Sequence, residues 1–186
     1  SEIHTPHEFV ISDRAGNRTY FWSRDPEVLA TLDSADLSMI RTAKLLYVDW
    51  YDQSHILRPM EEARTARIPI FLNLEHGHQN RNLVELYAPY ATICQAVTDE
   101  AQVQDNGLEV ARRIISKDIS TALVTMGKAG CVAMTQSESV HVAAPIVNVI
   151  DSCGAGATFS AGFIYGHLQD WNLEDKVKFA VAAASL

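Results

Sequence analysis

The sequence predicts an α/β fold: a mostly parallel sheet flanked by helices, with a small β hairpin ahead of it. Three observations carry this. Continuous apolar runs such as KLLYVDW, IPIFLNL and TALVT read as strands buried on both faces. They alternate with amphipathic helical segments, the pattern of a sheet covered by helices. One apolar run, VNVI, feeds through a glycine-rich turn straight into a further helix, in VIDSCGAGATFSAGF.

The chain opens with Phe9-Val10-Ile11 and Thr19 to Trp22 around SDRAGN, two β-prone runs about a Gly16-Asn17 turn, which predicts a hairpin. Phe9, Ile11, Tyr20 and Trp22 are expected to form one apolar face of it. Strand and helix then alternate. Lys44 to Trp50 is a buried-type strand, and His55 to Arg67 a helix rich in Glu, Arg and Ala. Ile68 to Leu74 is the next strand, Gln79 to Tyr87 a helix, and Ala91 to Val97 a short strand. Gly107 to Lys117 is amphipathic, with Leu108, Ala111 and Ile115 on one face. Thr121 to Thr125 is a strand, and MGKAG turns the chain into Cys131 to Met134. Val140 to Ala143 and Val147 to Ile150 add further β structure. Helices from about Ala155 and about Leu173 finish the chain. The expected organisation is a lid hairpin over residues 1–24 and an α/β core over 25–186.

The 186 residues suffice for one domain with a sizeable core. A hydrophobic fraction of 47% and a mean hydropathy of −0.03 exclude a disordered chain. No apolar run reaches the ~18 residues of a membrane span. The net charge of −8 argues against a nucleic-acid partner, though not against a nucleotide, which needs only local donors. Cys94, Cys131 and Cys153 are too few and too scattered for a disulfide framework or a zinc site, so a reducing, cytoplasmic setting is expected. The chain lacks an initiator Met, and KVKFAVAAASL stays helical to its last residue. An internal piece of a longer protein is the expectation.

The glycine turn carries the chemistry. In open α/β sheets ligands bind beyond the carboxyl ends of strands, where Asp151 to Gly156 would lie. Phe159, Gly162, Phe163 and Gly166 sit at helical offsets, so the helix opens near Gly154 or Ala155. A helix opening leaves backbone N–H groups unpaired at the positive end of the dipole, and glycines clear the approach. The turn is then a cradle for a phosphoryl group. Taken alone it is equally well a tight strand-to-helix turn that binds nothing.

Asp151-Ser-Cys-Gly-Ala-Gly-Ala-Thr-Phe-Ser-Ala-Gly-Phe resembles the C-terminal signature of the ribokinase/PfkB family of carbohydrate kinases: Asp-Thr, any residue, Gly-Ala-Gly-Asp, a small residue, Phe, and a small-Gly-Phe close. SDRAGNRTYFW resembles the family's lid strands, LVTMGKAGCV its nucleotide-side strand and turn, and AVTDEAQ its Asn-X-X-Glu segment. The GNRT lid and IFLNLE strand lean toward ketohexokinase-like members. The resemblance implies a ribokinase-like fold and transfer of the ATP γ-phosphoryl to a sugar hydroxyl, with Mg²⁺ and often a monovalent cation such as K⁺. The family's first strands and last segment have no counterpart in the chain.

The resemblance also assigns residues. Gly154, Ala155 and Gly156 would form the anion hole, and Asp151 would help bind the monovalent cation, against a plain role as a turn carboxylate. Thr125 and Gly127 would line the nucleotide, with Gly130 shaping the turn. Glu100 falls on the Glu that organises water around Mg²⁺, but its partner Asn position is Val97. Arg18 would face substrate from the lid, or is solvated. His76-Gly-His78 invites a metal, though no third ligand has suggestive spacing, and two loop histidines explain it as well. Trp22 and Trp50 stack on a ligand or pack the core and lid. A homodimer through the hairpin is expected.

The family's proton-accepting Asp is Ala157 here. A methyl group accepts no proton, the neutral Thr158 hydroxyl is a poor base, and Cys153 is across the turn. Losing a general base costs about 10²–10⁴ in rate, whereas an anion hole uses no carboxylate. Three readings stay open: a ligand binder without turnover, an active kinase whose base was removed to trap a complex, and a slow enzyme. A sensor or partner subunit on the same scaffold is the competing function. A dinucleotide-binding domain ranks low, because neither Gly127-Lys-Ala-Gly130 nor Gly154-Ala-Gly156 supplies G-X-G-X-X-G after a first strand.

Overall fold

A computed structural model of the chain describes residues 5–12, 18–23, 26–98, 106–115 and 119–186. Six strands form the main sheet, in spatial order equal to chain order: β3 (Leu46–Asp49), β4 (Ile70–Glu75), β5 (Ile93–Val97), β6 (Thr121–Thr125), β7 (Cys131–Thr135) and β8 (Ser139–Val142). β3 to β6 pair in parallel, while β7 and β8 add antiparallel strands to the end. Parallel neighbours need crossovers, and helices provide them: α2 (Leu57–Thr65), α3 (Arg81–Tyr87) and α4 (Gly107–Ile115). β4 is buried along IFLNL, as its unbroken apolar run requires.

The sheet separates two apolar clusters. One packs Met60, Ala63, Val84, Tyr87, Val110 and Ile114 of α2 to α4 against the strands. The other lies under α5 (Ala155–Leu168) and α6 (Leu173–Ala184), where Phe159, Phe163, Val177 and Ala180 meet Phe71, Ile93 and Leu123. Gly162 lets the two helices close, since a Cβ there would stand 2.9 Å from Ala180 Cα. α5 is thereby fixed on one sheet face, and its N-terminus lies toward the carboxyl ends of the parallel strands.

The opening hairpin forms as expected, from β1 (His7–Ser12) and β2 (Arg18–Ser23), followed by α1 (Pro26–Ala30). Its register corrects the expected face. Phe9 stands opposite Phe21, and Val10 opposite Tyr20. Opposed residues share a face, so Phe9, Ile11 and Phe21 lie on one side and Val10, Tyr20 and Trp22 on the other. Both sides are apolar and exposed.

One expected strand is absent. Val147 to Ile150 pairs with no strand among the described residues. Ile146 and Ile150 stand almost fully exposed. Apolar β-prone sequence creates a strand only where a partner exists.

Candidate active site

α5 begins at Ala155, after Gly154 in a left-handed conformation with φ of 84° that side-chain-bearing residues avoid. Among the described residues, the N–H groups of Gly154, Gly156 and Ala157 have no hydrogen-bond partner. Ala155 N–H spends its proton in the turn, on Ser152 O at 3.3 Å. A Cβ at Gly154 or Gly156 would meet nothing within 4 Å, so the space above the helix opening is clear. Open donors at the positive end of a helix dipole favour an anion. The Asp151 carboxylate accepts from Cys153 N–H at 2.8 Å, holding the turn that presents them. Thr158 returns its hydroxyl to Gly154 O at 3.0 Å. Ala157 sits exposed on this first turn.

Thr125, Gly127 and Gly130, the residues expected beside a nucleotide, gather at the end of β6. Thr125 Oγ1 donates to Ala96 O at 3.4 Å, and Thr98 N–H closes on Thr125 O. Gly127 has φ of 55° with open space about it. Gly130 is structural: a Cβ there would fall 2.0 Å from Val142 O. Arg18 stands opposite Ser12 in the hairpin. Glu100 lies outside the described residues. The Val97 carbonyl accepts from His78 Nε2 at 3.0 Å, and its side chain has no oxygen to offer. Among the described residues no group of three or more His, Cys, Asp or Glu side chains could hold a metal ion, and Val97 offers no ligand at the position the resemblance gives to Asn. Trp50 packs its ring over Gly77 and against Tyr51, so its place is in the packing of the strand ends, though its buried Nε1 finds no partner among the described residues.

Sequence reasoning missed a polar cluster at the ends of β3 and β4. Asn73, 5% exposed, donates from Nδ2 to Asp49 Oδ2 at 2.8 Å and to Glu75 Oε1 at 3.2 Å. Tyr51 adds its N–H to Asp49 Oδ1 at 3.1 Å and its hydroxyl to Glu75 Oε2 at 3.1 Å. Burial pushes the Asp49 carboxyl above its ordinary value, the hydrogen bonds from Tyr51 and Asn73 oppose it, and the Glu75 and Asp52 charges add to the rise. Tyr47 stands beside this cluster, its hydroxyl 3.5 Å from Asp49 Oδ2. Ser160 Oγ lies 3.0 Å from Gly156 O and 2.8 Å from Gln95 Oε1. The signal was available: Asp49, Asn73 and Glu75 are polar residues ending otherwise apolar strand runs.

Asp49, Tyr51 and Asp52 line a cleft of about 380 Å³, whose opposite wall is His7 of the hairpin with Val28 and Leu29 of α1. A wider depression of about 610 Å³ lies beside Trp50 and the Gln79–Leu83 segment. The smaller cleft is the one that meets the carboxylates.

A mixed α/β sheet flanked by helices, with open amides where α5 begins, is the frame in which the comparisons with known proteins fall. A family model, that of the pfkB family carbohydrate kinases, matches residues 2–186, and the chain belongs to that family. Ribokinase of Staphylococcus aureus is 35% identical over 112 residues, 56% of this chain and 35% of that protein. Deoxyribokinase of Salmonella typhi is 31% identical over 102 residues, 54% of this chain and 33% of that protein. The matched segments thus span about a third of these relatives' length. The fold matches the ribokinase of Thermotoga maritima with a TM-score of 0.77 at 18% identity, over 100% of this chain and 63% of that one. It matches Arabidopsis thaliana ribokinase, solved with ribose and ATP, with a TM-score of 0.69 at 18% identity, over 98% and 62%. Among the described residues, no helix is long and apolar enough to cross a membrane.

Proposed function

We propose that this chain carries the phosphoryl-transfer half of a sugar kinase, moving the ATP γ-phosphoryl to a hydroxyl of a furanose-type sugar or ketohexose in the cytoplasm. The observation that carries this is the open set of amides at Gly154, Gly156 and Ala157. They bind the migrating phosphoryl as charge develops on its oxygens, work that needs positioning rather than covalent chemistry. Gly154 and Gly156 keep side chains out of that space, and Ala155 holds the turn. Thr125, Gly127 and the Gly130 turn border the nucleotide. The sugar lies in the cleft between the hairpin and the Asp49 cluster, so that residues 1–24 act as a lid over the 25–186 core. Arg18 reaches substrate from that lid, and Asp151 borders a monovalent cation such as K⁺. Glu100 serves the water around Mg²⁺. The Mg²⁺ partner position is Val97, whose side chain offers that water no oxygen.

The test is ATP-dependent phosphorylation of D-ribose, 2-deoxy-D-ribose and D-fructose, with sugar phosphate read by mass spectrometry. Product supports the reading. No product from this chain or from its Ala157→Asp variant, and no ATP binding by calorimetry, rules it out. A second reading is favoured by Ala157 itself: a sensor or partner subunit that binds sugar or nucleotide without turnover. Binding by calorimetry with no product from this chain selects it.

A further inference from the structure

The position of the family's proton acceptor holds a methyl group, yet a carboxylate stands at the strand ends, on the sheet face that α5 covers. We propose that Asp49 accepts the proton of the attacking substrate hydroxyl in this chain, a role that rests on the sugar-kinase reading above.

Asp49 lines the cleft beneath the hairpin, where a small polyol has access to it. Its two oxygens receive three donors: Tyr51 N–H on Oδ1, and Asn73 Nδ2 and the more distant Tyr47 hydroxyl on Oδ2. A carboxylate offers about four lone-pair sites, so one remains for an incoming hydroxyl. Asn73 points to a ligand independently. Its amide sits between the two carboxylates and is 5% exposed, while its Oδ1 has no hydrogen-bond partner among the described residues. Buried carbonyl oxygens are nearly always paired, so this one awaits a donor. A sugar hydroxyl entering the cleft meets Asp49, which lines it, with Asn73 standing behind that carboxylate.

The carboxylate also reaches toward the phosphoryl. Asn73, which holds Asp49, stands opposite Gln95 in the β4–β5 register, Ser160 Oγ lies 2.8 Å from Gln95 Oε1, and Ser160 contacts the Gly156 carbonyl in the first turn of α5. The acid and the open amides therefore lie on the same face of the sheet, toward the carboxyl ends of its parallel strands. In the step itself, the hydroxyl O–H bond breaks and its proton passes to the Asp49 carboxylate. The oxygen forms a bond to the γ-phosphorus. The bond to the β-phosphate bridging oxygen breaks, and its electron pair leaves with ADP. Asp49 then releases the proton to water through the cleft. Burial of Asp49 raises its proton affinity in the direction a base needs.

The test uses the whole chain with ATP and Mg²⁺ and, as probes, D-ribose and D-fructose, in four forms: unaltered, Asp49→Asn, Ala157→Asp, and both together. The expected result is measurable turnover in the unaltered chain, and a kcat about 10²–10⁴ lower in Asp49→Asn with the ATP dissociation constant unchanged. Ala157→Asp in the Asp49→Asn background should then restore kcat, because the family's position again holds a base. Three results overturn the proposal: Asp49→Asn within threefold of the unaltered chain, a loss that Ala157→Asp does not repair, or an unaltered chain that is silent. In the silent case an active Ala157→Asp variant leaves the kinase reading standing, and silence in both together with no ATP binding by calorimetry removes that reading too. Should Asp49→Asn fail to fold, Asp49→Glu displaces the acid by one methylene. Unchanged turnover there also overturns the assignment, since a base must meet its hydroxyl within hydrogen-bond reach.

Discussion

Ser160 on α5 donates its hydroxyl to Gln95 on β5 at 2.8 Å, and both side chains are sealed from solvent at 2% and 1% exposure. The pair ties the opening turn of α5 to the centre of the sheet, one turn below the cradle. Ser160→Ala leaves the Gln95 carbonyl buried without that donor, at a cost of about 1–3 kcal/mol. For a domain of this size each kcal/mol lowers the melting temperature by roughly 2–4 °C. Adding Gln95→Leu to Ser160→Ala removes both polar partners, so the double variant should recover part of the loss. Thermal melts of the four-member cycle check this, and strictly additive losses would contradict it.

Gly156 yields a prediction in which stability and binding move in opposite directions. It lies in the first turn of a regular helix, and a Cβ there meets nothing. Gly156→Ala should fold with equal or higher stability, up to about 0.5–1 kcal/mol by helix propensity. The same methyl occupies the space through which a phosphoryl approaches the open amides. ATP affinity should fall, and turnover should drop on the order of 10², the cost of losing one oxyanion donor. Calorimetry beside a thermal melt reads both. A variant that melts higher and binds ATP as before would mean the amides hold no phosphate.

Asp49 gives a pH prediction with a definite sign. Burial, with Glu75 and Asp52 close by, raises its carboxyl above the ordinary 3.8 in the folded chain. The folded state therefore holds that proton more tightly than the unfolded chain. The resulting stabilisation is complete below the unfolded value and is lost as pH rises through the folded one. At pH 7 the ionised Asp49 counts against folding. Asp49→Asn should melt higher than the unaltered chain at pH 7, and the gap should narrow as pH falls toward 4. A variant that melts lower at pH 7 would place the hydrogen bonds from Tyr51 and Asn73 above the burial penalty.

The parts legible in the sequence were those that local pattern determines. IPIFLNL and TALVT are too apolar for any place but a covered sheet, and GAGA before Phe159 marks the helix opening by composition alone. What escaped depended on partners distant in the chain. Asp49 and Asn73 are 24 residues apart and meet only because β3 and β4 pair in parallel with those positions opposed. Val147 to Ile150 has strand composition but pairs with no strand among the described residues. The hairpin faces depend on register, and a shift of one residue exchanges every side chain between them.

That register leads to the last prediction. Phe9 and Phe21 are 70% and 57% exposed on one face, and Tyr20 and Trp22 are 48% and 64% exposed on the other. A two-stranded ribbon is marginal in water by itself, so two exposed apolar faces call for two covers. Bound sugar is expected to cover one, and the hairpin of a second copy the other. Light scattering on a size-exclusion column should then show a dimer. Phe9→Ser with Phe21→Ser, and Tyr20→Ser with Trp22→Ser, sort the faces. The pair that dissociates the dimer without altering sugar affinity marks the face covered by the partner, and the pair that weakens sugar binding while the dimer persists marks the lid side. A monomer at every concentration would remove the second copy, and equal effects of the two pairs on both readouts would mean that the faces are not divided between sugar and partner.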